Sequence, residues 1–217
     1  MNLIFDIGFN VGEFTQTCFN KYKDCNVIAV EANPTLVKLA SPHFFTNYNF
    51  TLHNNLVSEK TNEDINFYVS PNTTGVSTAS TQFMENSRFT KGSKHLEKNS
   101  IKWEAPIKVQ SITIDSMIER YGIPDLIKID VEGYEYEVIK GLSKKQNELC
   151  FEWTEEQFEK VNQTCNALKK IGYTNFGYIY GDNHLERPLN YTTWEQSDIH
   201  NDILPERKER WGMIWVK

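Results

Sequence analysis

The sequence predicts an α/β layer fold, doubly wound around a mostly parallel sheet. Short apolar runs alternate with helical patterns along the chain, which is typical of this class. The first apolar run passes through two glycines directly into a helical pattern, as at a ligand-binding loop at the carboxyl end of a strand. A chain of 217 residues suits one such core better than two, so we expect a single domain over 1–217.

Each element rests on a local pattern. Pro34 lies where helices favour a first-turn proline, and Gly172 ends the last amphipathic pattern. The final two apolar runs have no helical pattern between them, which predicts an antiparallel C-terminal strand. The predicted strands are 2–7, 26–32, 50–58, 65–70, 125–131, 148–153, 175–181 and 211–217, with a further short strand opening the strand–helix unit 111–122. The predicted helices are 13–22, one from Pro34, 132–142 and 155–173.

The overall composition argues against several classes of partner, although the net charge leaves room for a local basic patch. The net charge is −6 and the pI is about 5.5, which argues against a nucleic-acid-binding protein. No apolar run approaches the roughly 20 residues that span a bilayer. The sequence enters the first predicted strand directly, so we expect no signal peptide. The four cysteines lack metal-site spacing. We interpret them as free thiols in a reducing compartment and expect a cytoplasmic protein.

The stretch FDIGFNVGEFT at 5–15 has the form of a cofactor loop. In a dinucleotide fingerprint the second glycine lets the backbone approach the pyrophosphate, but Asn10 stands there instead. Glu13 then opens the helix, where a bound phosphate would disfavour a negative charge. The loop therefore allows close approach and does not suit an anion.

S-adenosylmethionine matches such an acidic loop better, because it carries a sulfonium, an amino group and a ribose with two free hydroxyls. Asp6 is placed to act on the amino-acid end directly or through water, and Gly8 and Gly12 allow a close turn. Glu31, at the end of the second strand, can accept hydrogen bonds from both ribose hydroxyls.

Four segments in order, FDIGFNVGEFT, VIAVEANP, SITIDSMI and DLIKIDVEGYEYEVIKGL, resemble the FkbM-type S-adenosylmethionine-dependent methyltransferases. The resemblance implies a seven-stranded, Rossmann-like methyltransferase fold and methyl transfer to oxygen, often on a sugar or polyketide hydroxyl. It also maps the glycine loop and Glu31 onto the cofactor site and places residues 55–57 beside the adenine. With neighbouring positions included, the predicted cofactor site is Asp6, Gly8, Phe9, Asn10, Gly12, Thr15, Glu31, Ala32, Asn55, Leu56 and Asp130.

Two acids lie at the ends of neighbouring predicted strands, Asp130 and Glu152. One of them could be the base that takes the acceptor's proton. The pair could instead bind Mg²⁺ or another hard divalent ion, or be purely structural. Glu132 is assigned to the N-terminus of the following helix, where the dipole favours a carboxylate. The sequence alone assigns no residue as a metal ligand.

Two polar segments without clear periodicity, 71–106 and 181–211, are either substrate walls or surface insertions. His95 and His184 lie in them and could act as bases or be surface histidines; His184 joins Asp130 and Glu152 as a catalytic candidate. Aromatic residues are frequent there; they could stack on the apolar faces of a sugar or belong to the core or the rim.

These observations predict an O-methyltransferase that acts on a hydroxyl of a sugar or glycan with S-adenosylmethionine. An NAD-dependent sugar dehydrogenase or epimerase and a non-catalytic methyltransferase-like scaffold are the alternatives. Little sequence precedes the first strand, so we expect a minimal enzyme, or an upstream domain or second subunit of a homodimer that covers the cofactor.

Overall fold

The computed structural model of the chain describes residues 1–44, 49–89, 101–181, 184–193 and 210–217. The strands in these ranges are β1 (Leu3–Ile7), β2 (Asn26–Val30), β3 (Phe50–His53), β4 (Leu56–Val57), β5 (Asp64–Phe67), β6 (Ile107–Ile112), β7 (Leu126–Ile129), β8 (Glu148–Thr154), β9 (Phe176–Tyr180) and β10 (Trp211–Val216). The α-helices are α1 (Glu13–Lys21), α2 (Pro34–Phe44), α3 (Thr81–Asn86), α4 (Ile114–Tyr121), α5 (Glu135–Lys140) and α6 (Phe158–Lys170).

Seven strands form one large sheet in the spatial order β3-β2-β1-β7-β8-β10-β9. Neighbouring strands are parallel from β3 to β8, whereas β10 runs antiparallel to both β8 and β9. The predicted fold class, a doubly wound and mostly parallel seven-stranded sheet with an antiparallel C-terminal strand, is confirmed.

Helices cover both faces of the large sheet because its strands are apolar on both sides. Successive residues of a strand point to opposite faces. Phe5 accordingly packs in a cluster with residues of α4, α5 and α6, while Ile4 packs in a second cluster with residues of α1 and α2. The predicted buried-strand runs follow from this two-sided burial.

A separate small sheet has the order β4-β6-β5, with β4 parallel and β5 antiparallel to β6. The single third strand predicted at 50–58 is therefore corrected: it is interrupted, and its two parts belong to different sheets. The side-chain amide of Asn54 donates to the carbonyls of Glu31 and Ala32, and that of Asn55 donates to the Gln110 carbonyl. These bonds occupy backbone acceptors where the chain leaves the large sheet.

Helix α5 begins at Glu135, three residues later than predicted. Glu132 and Gly133 have φ of 55° and 84°, and this left-handed backbone is incompatible with a right-handed helix.

All four cysteines are buried free thiols. None of the helices in the described ranges combines the length and apolar character that a bilayer-spanning helix requires.

Candidate functional site

A cavity of about 660 Å³, its open mouth included, lies at the carboxyl ends of β1, β2 and β7. Gly8, Glu31 and Asp130 follow these three strands and line it. The sheet order reverses here, since the chain continues from β1 to β2 on one side and returns to β7 on the other. Open α/β sheets bind ligands at such a switch point.

The two glycines of the first loop are required by neighbouring protein atoms. A Cβ on Gly8, at φ +84°, would lie 1.7 Å from the carbonyl oxygen of Asp130. A Cβ on Gly12, at φ +86°, would lie 2.5 Å from the ring of Phe9. The glycines therefore let the ends of β1 and β7 approach each other and let the chain turn into α1.

Glu31 is held by backbone amides at both carboxylate oxygens. One oxygen accepts from the N–H of Asn10 at 2.8 Å, and the other accepts from that of Asn33 at 2.7 Å. Burial raises the pKa of this carboxyl, and the two bonds oppose the shift. A carboxylate oxygen has more than one acceptor position, so each can still accept from a ligand hydroxyl.

Asp6 does not line the cavity, unlike the prediction that it would act on the ligand. It is fully buried, and its carboxylate accepts a 2.6 Å hydrogen bond from the Thr15 hydroxyl. The Lys128 ammonium lies 3.4 Å from carboxylate oxygens of both Asp6 and Asp130 and donates to the Gly8 carbonyl at 2.8 Å. Asp6 thus positions the loop through Lys128 and Thr15.

Residues 74–79, which belong to the predicted wall segment 71–106, form one side of this cavity. We call these residues the roof. Thr74 and Gly75 in its 3₁₀ turn line the cavity, and the Thr74 hydroxyl donates to the side-chain oxygen of Asn10 at 3.2 Å. The Trp103 indole donates to the Val76 carbonyl at 2.9 Å, and Thr78 donates to that of Glu132 at 2.8 Å. These hydrogen bonds connect the roof to neighbouring parts of the chain, including the loops beneath it.

Asp130, Glu132 and Glu152, the acidic group, come together beside the cavity. One carboxylate oxygen from each lies within 4.8 Å of the others. β7 and β8 pair Ile129 with Phe151, so Asp130 and Glu152 follow at the same level. Burial raises the pKa values of Glu132 and Glu152, and the neighbouring carboxylates raise them further.

Glu132 belongs to this group and not to the helix N-terminus. Glu135 has that role: its carboxylate accepts from the N–H groups of Val131 at 3.1 Å and Gly133 at 3.2 Å. Burial raises the pKa of Glu135 to about 7, although these bonds oppose the shift. The left-handed backbone at Glu132, which no helical pattern indicates, redirects its side chain.

The structure brings together some predicted site residues and separates others. The predicted residues that line the cavity are Gly8, Asn10, Glu31, Ala32, Asn55, Leu56 and Asp130. The predicted residues that do not line it are Asp6, Phe9, Gly12, Thr15, Glu152 and His184.

The separated residues have other contacts. Phe9 is buried in the core, with its ring centroid 5.3 Å from that of Phe44. The His184 ring lies 6.4 Å from that of Phe14. Glu152 lines a smaller neighbouring cavity. His95 lies outside the described residues.

Sequence reasoning missed Lys128, and it included the roof only within the longer segment 71–106, for which a surface insertion was the alternative. Lys128 had a usable signal, because a lysine inside the apolar strand run DLIKIDV must be paired when it is buried. No pattern singled out residues 74–79 within that segment, because their position depends on the small sheet.

Comparisons with solved structures return several methyltransferases. Precorrin-6y C5,15-methyltransferase from Geobacter metallireducens aligns with 100% of this chain and 78% of its own, at 10% identity and a TM-score of 0.48. Fibrillarin from Aeropyrum pernix, with natively bound S-adenosyl-L-methionine, aligns with 100% of this chain and 66% of its own, at 10% identity and a TM-score of 0.48. The N-methyltransferase NodS from Bradyrhizobium japonicum aligns with 99% of this chain and 84% of its own, at 9% identity and a TM-score of 0.43.

Likenesses at this level carry no functional argument, and no curated protein matches the sequence significantly. A sequence model of one family does match, over residues 6–180, which include the glycine loop, Glu31 and the acidic group. The chain therefore belongs to the methyltransferase FkbM domain family, the family that the loop and KIDVEG motifs resemble.

Proposed function

We propose that this methyltransferase moves a methyl group from S-adenosylmethionine to a hydroxyl oxygen of a sugar or glycan. Glu31 is the observation that carries the proposal. Its carboxylate is fixed by two backbone amides at the switch point of the sheet and lines the cavity there. A carboxylate held in this way is prepared to accept hydrogen bonds from two adjacent hydroxyls, the pattern that an unmodified ribose offers.

The cavity fits this cofactor in charge. Glu31, Asp130 and Glu132 line it, while the nearby Lys128 ammonium is shared between two carboxylates and a carbonyl. A cationic ligand is favoured in these surroundings and a pyrophosphate is not, which argues against the NAD-dependent alternative.

Each side of the cavity then has a role. Glu31 would hold the ribose, and residues 55–57 would contact the adenine. Gly8 and Asp130 would face the amino-acid end. The bound cofactor supplies an electrophilic methyl group on a sulfonium. The protein has to exclude water, align the acceptor oxygen with that methyl and remove the hydroxyl proton.

The acidic group is placed to take that proton. Asp130 and Glu132 line the cofactor cavity, and Glu152 lies within 4.8 Å of both. A carboxylate oxygen of this group accepts the hydroxyl proton, a contribution of roughly 10²–10⁴-fold in rate for a well-placed base. A sugar is favoured as the acceptor because carboxylates bind hydroxyls well, and because the aromatic residue Tyr134 is part of the cavity lining.

Calorimetry with S-adenosylhomocysteine and with NAD tests the cofactor assignment. We expect the wild-type chain to bind the first and not the second. Glu31→Gln should weaken S-adenosylhomocysteine binding by roughly tenfold or more, because a charge-assisted hydrogen bond becomes neutral. Glu13→Gln, an exposed acid in the first turn of α1, is the matched control and should leave the affinity unchanged. Equal affinities for wild type and Glu31→Gln would contradict the role of Glu31.

The acceptor assignment needs a separate assay. Incubation with S-adenosylmethionine and a panel of sugars, phenols and amines, followed by mass spectrometry, should give a gain of one methyl group on a sugar hydroxyl. Methylation of amines alone would overturn the oxygen and sugar assignments while the cofactor assignment stands.

A further inference from the structure

We infer that Asp130, Glu132 and Glu152 form a binding site for one hard divalent cation of the Mg²⁺ class. One oxygen from each carboxylate lies within 4.8 Å of the other two. Ligands at about 2.1–2.5 Å from a common ion are separated by up to about 4–5 Å, so the three can share an ion with modest adjustment. The set contains only oxygen donors, which favours Mg²⁺, Mn²⁺ or Ca²⁺ over Zn²⁺.

The neighbouring cations among the described residues are already committed to other carboxylates. The Lys160 ammonium lines the smaller cavity beside Glu152 but donates to Glu137 at 2.8 Å. The Arg88 guanidinium binds both carboxylate oxygens of Glu156, at 2.8 and 2.9 Å.

Lys128, the remaining nearby cation, is shared between Asp6 and Asp130. Within the described parts of the chain, no salt bridge or hydrogen bond engages the carboxylate of Glu132 or that of Glu152. Three convergent carboxylates with one shared ammonium repel one another when they are ionised, and a bound divalent cation would remove that repulsion.

Gln157 is an independent indication of a ligand on the Glu152 side. Its side chain is 3% exposed and lines the smaller cavity together with Glu152 and Thr164. Neither its amide oxygen nor its amide nitrogen has a hydrogen-bond partner within the described residues. A buried amide left without partners is costly. Water molecules in the outer sphere of an ion at Glu152 would satisfy it, or its oxygen would approach the ion directly.

The position of the site suggests its use, and this step rests on the proposed function. Three carboxylates leave part of a six-coordinate shell to water, which two adjacent hydroxyls of a sugar can replace. The ion would orient the acceptor, and a bound hydroxyl would lose its proton more readily to a carboxylate oxygen of the group. The acceptor would then be restricted to molecules with neighbouring hydroxyls.

Metal binding can be measured without turnover. Mn²⁺, which gives an electron paramagnetic resonance signal when free, is titrated into the purified, metal-stripped chain, and Mg²⁺ is then added to compete. We expect one saturable Mn²⁺ per chain. Glu152→Gln and Glu132→Gln should each weaken it roughly tenfold or more. Glu119→Gln, an exposed acid on α4, is the control and should bind Mn²⁺ as wild type does.

Absence of saturable binding in the wild type, or unchanged affinity in both glutamine variants, would overturn the site. Circular dichroism confirms that each variant is folded, and two variants keep the test decisive if one is not. S-adenosylhomocysteine binding is measured on the same samples. Mn²⁺ binding without S-adenosylhomocysteine binding would remove the proposed function and leave the metal site, and the reverse result would do the opposite.

Discussion

Lys128→Met is the substitution for which the structure gives the clearest expectation of stability. The ammonium lies 3.4 Å from Oδ1 of Asp6 and 3.4 Å from Oδ2 of Asp130, and it donates to the Gly8 carbonyl. Asp6 is fully buried, so without Lys128 its carboxylate retains the Thr15 hydroxyl and loses its neighbouring cation. A buried charge is thereby left uncompensated.

The magnitude follows from two opposing terms. At 3.4 Å and an effective dielectric constant of about 20, each ion pair contributes roughly 5 kcal/mol of attraction. Removing the ammonium also removes its desolvation cost of several kcal/mol. The net loss expected for breaking one partner of a buried pair is about 3–5 kcal/mol of unfolding free energy. For a chain of this size that corresponds to a fall in Tm of roughly 6–20 °C.

Thermal and urea unfolding at pH 7.5 measure this loss, with Lys108→Met, an exposed lysine on β6, as the matched control. Asp6→Asn and the double variant Asp6→Asn/Lys128→Met complete a cycle. The double variant should be more stable than the sum of the single losses predicts, by about 1–3 kcal/mol, because the uncompensated charge is gone. A Lys128→Met protein within about 1 kcal/mol of wild type, or strictly additive losses, would refute the reasoning.

Two further predictions concern the loops around the cavity. Gly8→Ala should abolish S-adenosylhomocysteine binding and lower Tm strongly, because its Cβ would lie 1.7 Å from the Asp130 carbonyl oxygen. Gly122→Ala, at φ +96° with no atom within 4 Å of its Cβ, should cost about 1–3 kcal/mol of backbone strain and keep binding. Unchanged binding by Gly8→Ala in calorimetry would contradict this account. Burial raises the pKa of Glu135 from 4.5 to about 7, so the folded state binds the proton of this carboxyl more tightly than the unfolded state does. The stability that this tighter binding contributes is fully present below pH 4.5 and is lost as the pH rises to about 7. Urea unfolding in EDTA should therefore show Glu135→Gln gaining on wild type by up to about 3 kcal/mol between pH 4.5 and 8, and parallel pH profiles would count against it.

The order of the strands and helices was predictable because it depends on local periodicity. Apolar strand runs, the first-turn proline at Pro34 and the glycine loop each carry their structural cause within a few residues. The division of 50–58 between two sheets was not predictable, because the bonds from the side chains of Asn54 and Asn55 reach carbonyls up to 55 residues away in sequence.

The candidate site was predictable where strand ends determine it. Glu31 and Asp130 follow directly from the switch point of a parallel sheet, and the proximity of Glu152 follows from the pairing of β7 with β8. Glu132 was misassigned, because its left-handed φ is set by tertiary contacts and not by its neighbours in sequence. His184 was a candidate on its chemical type alone, and position in space is what decides the role of such a residue.

The two sides of the main cavity belong to separately hydrogen-bonded sheets. Its floor follows β1, β2 and β7 of the large sheet, whereas the roof, residues 74–79, is carried between β5 and β6 of the small one. A molecule bound between the floor and the roof therefore connects the two sheets. Ligand binding in the cavity should then slow amide-hydrogen exchange along β5 and β6, even though these strands need not touch the ligand.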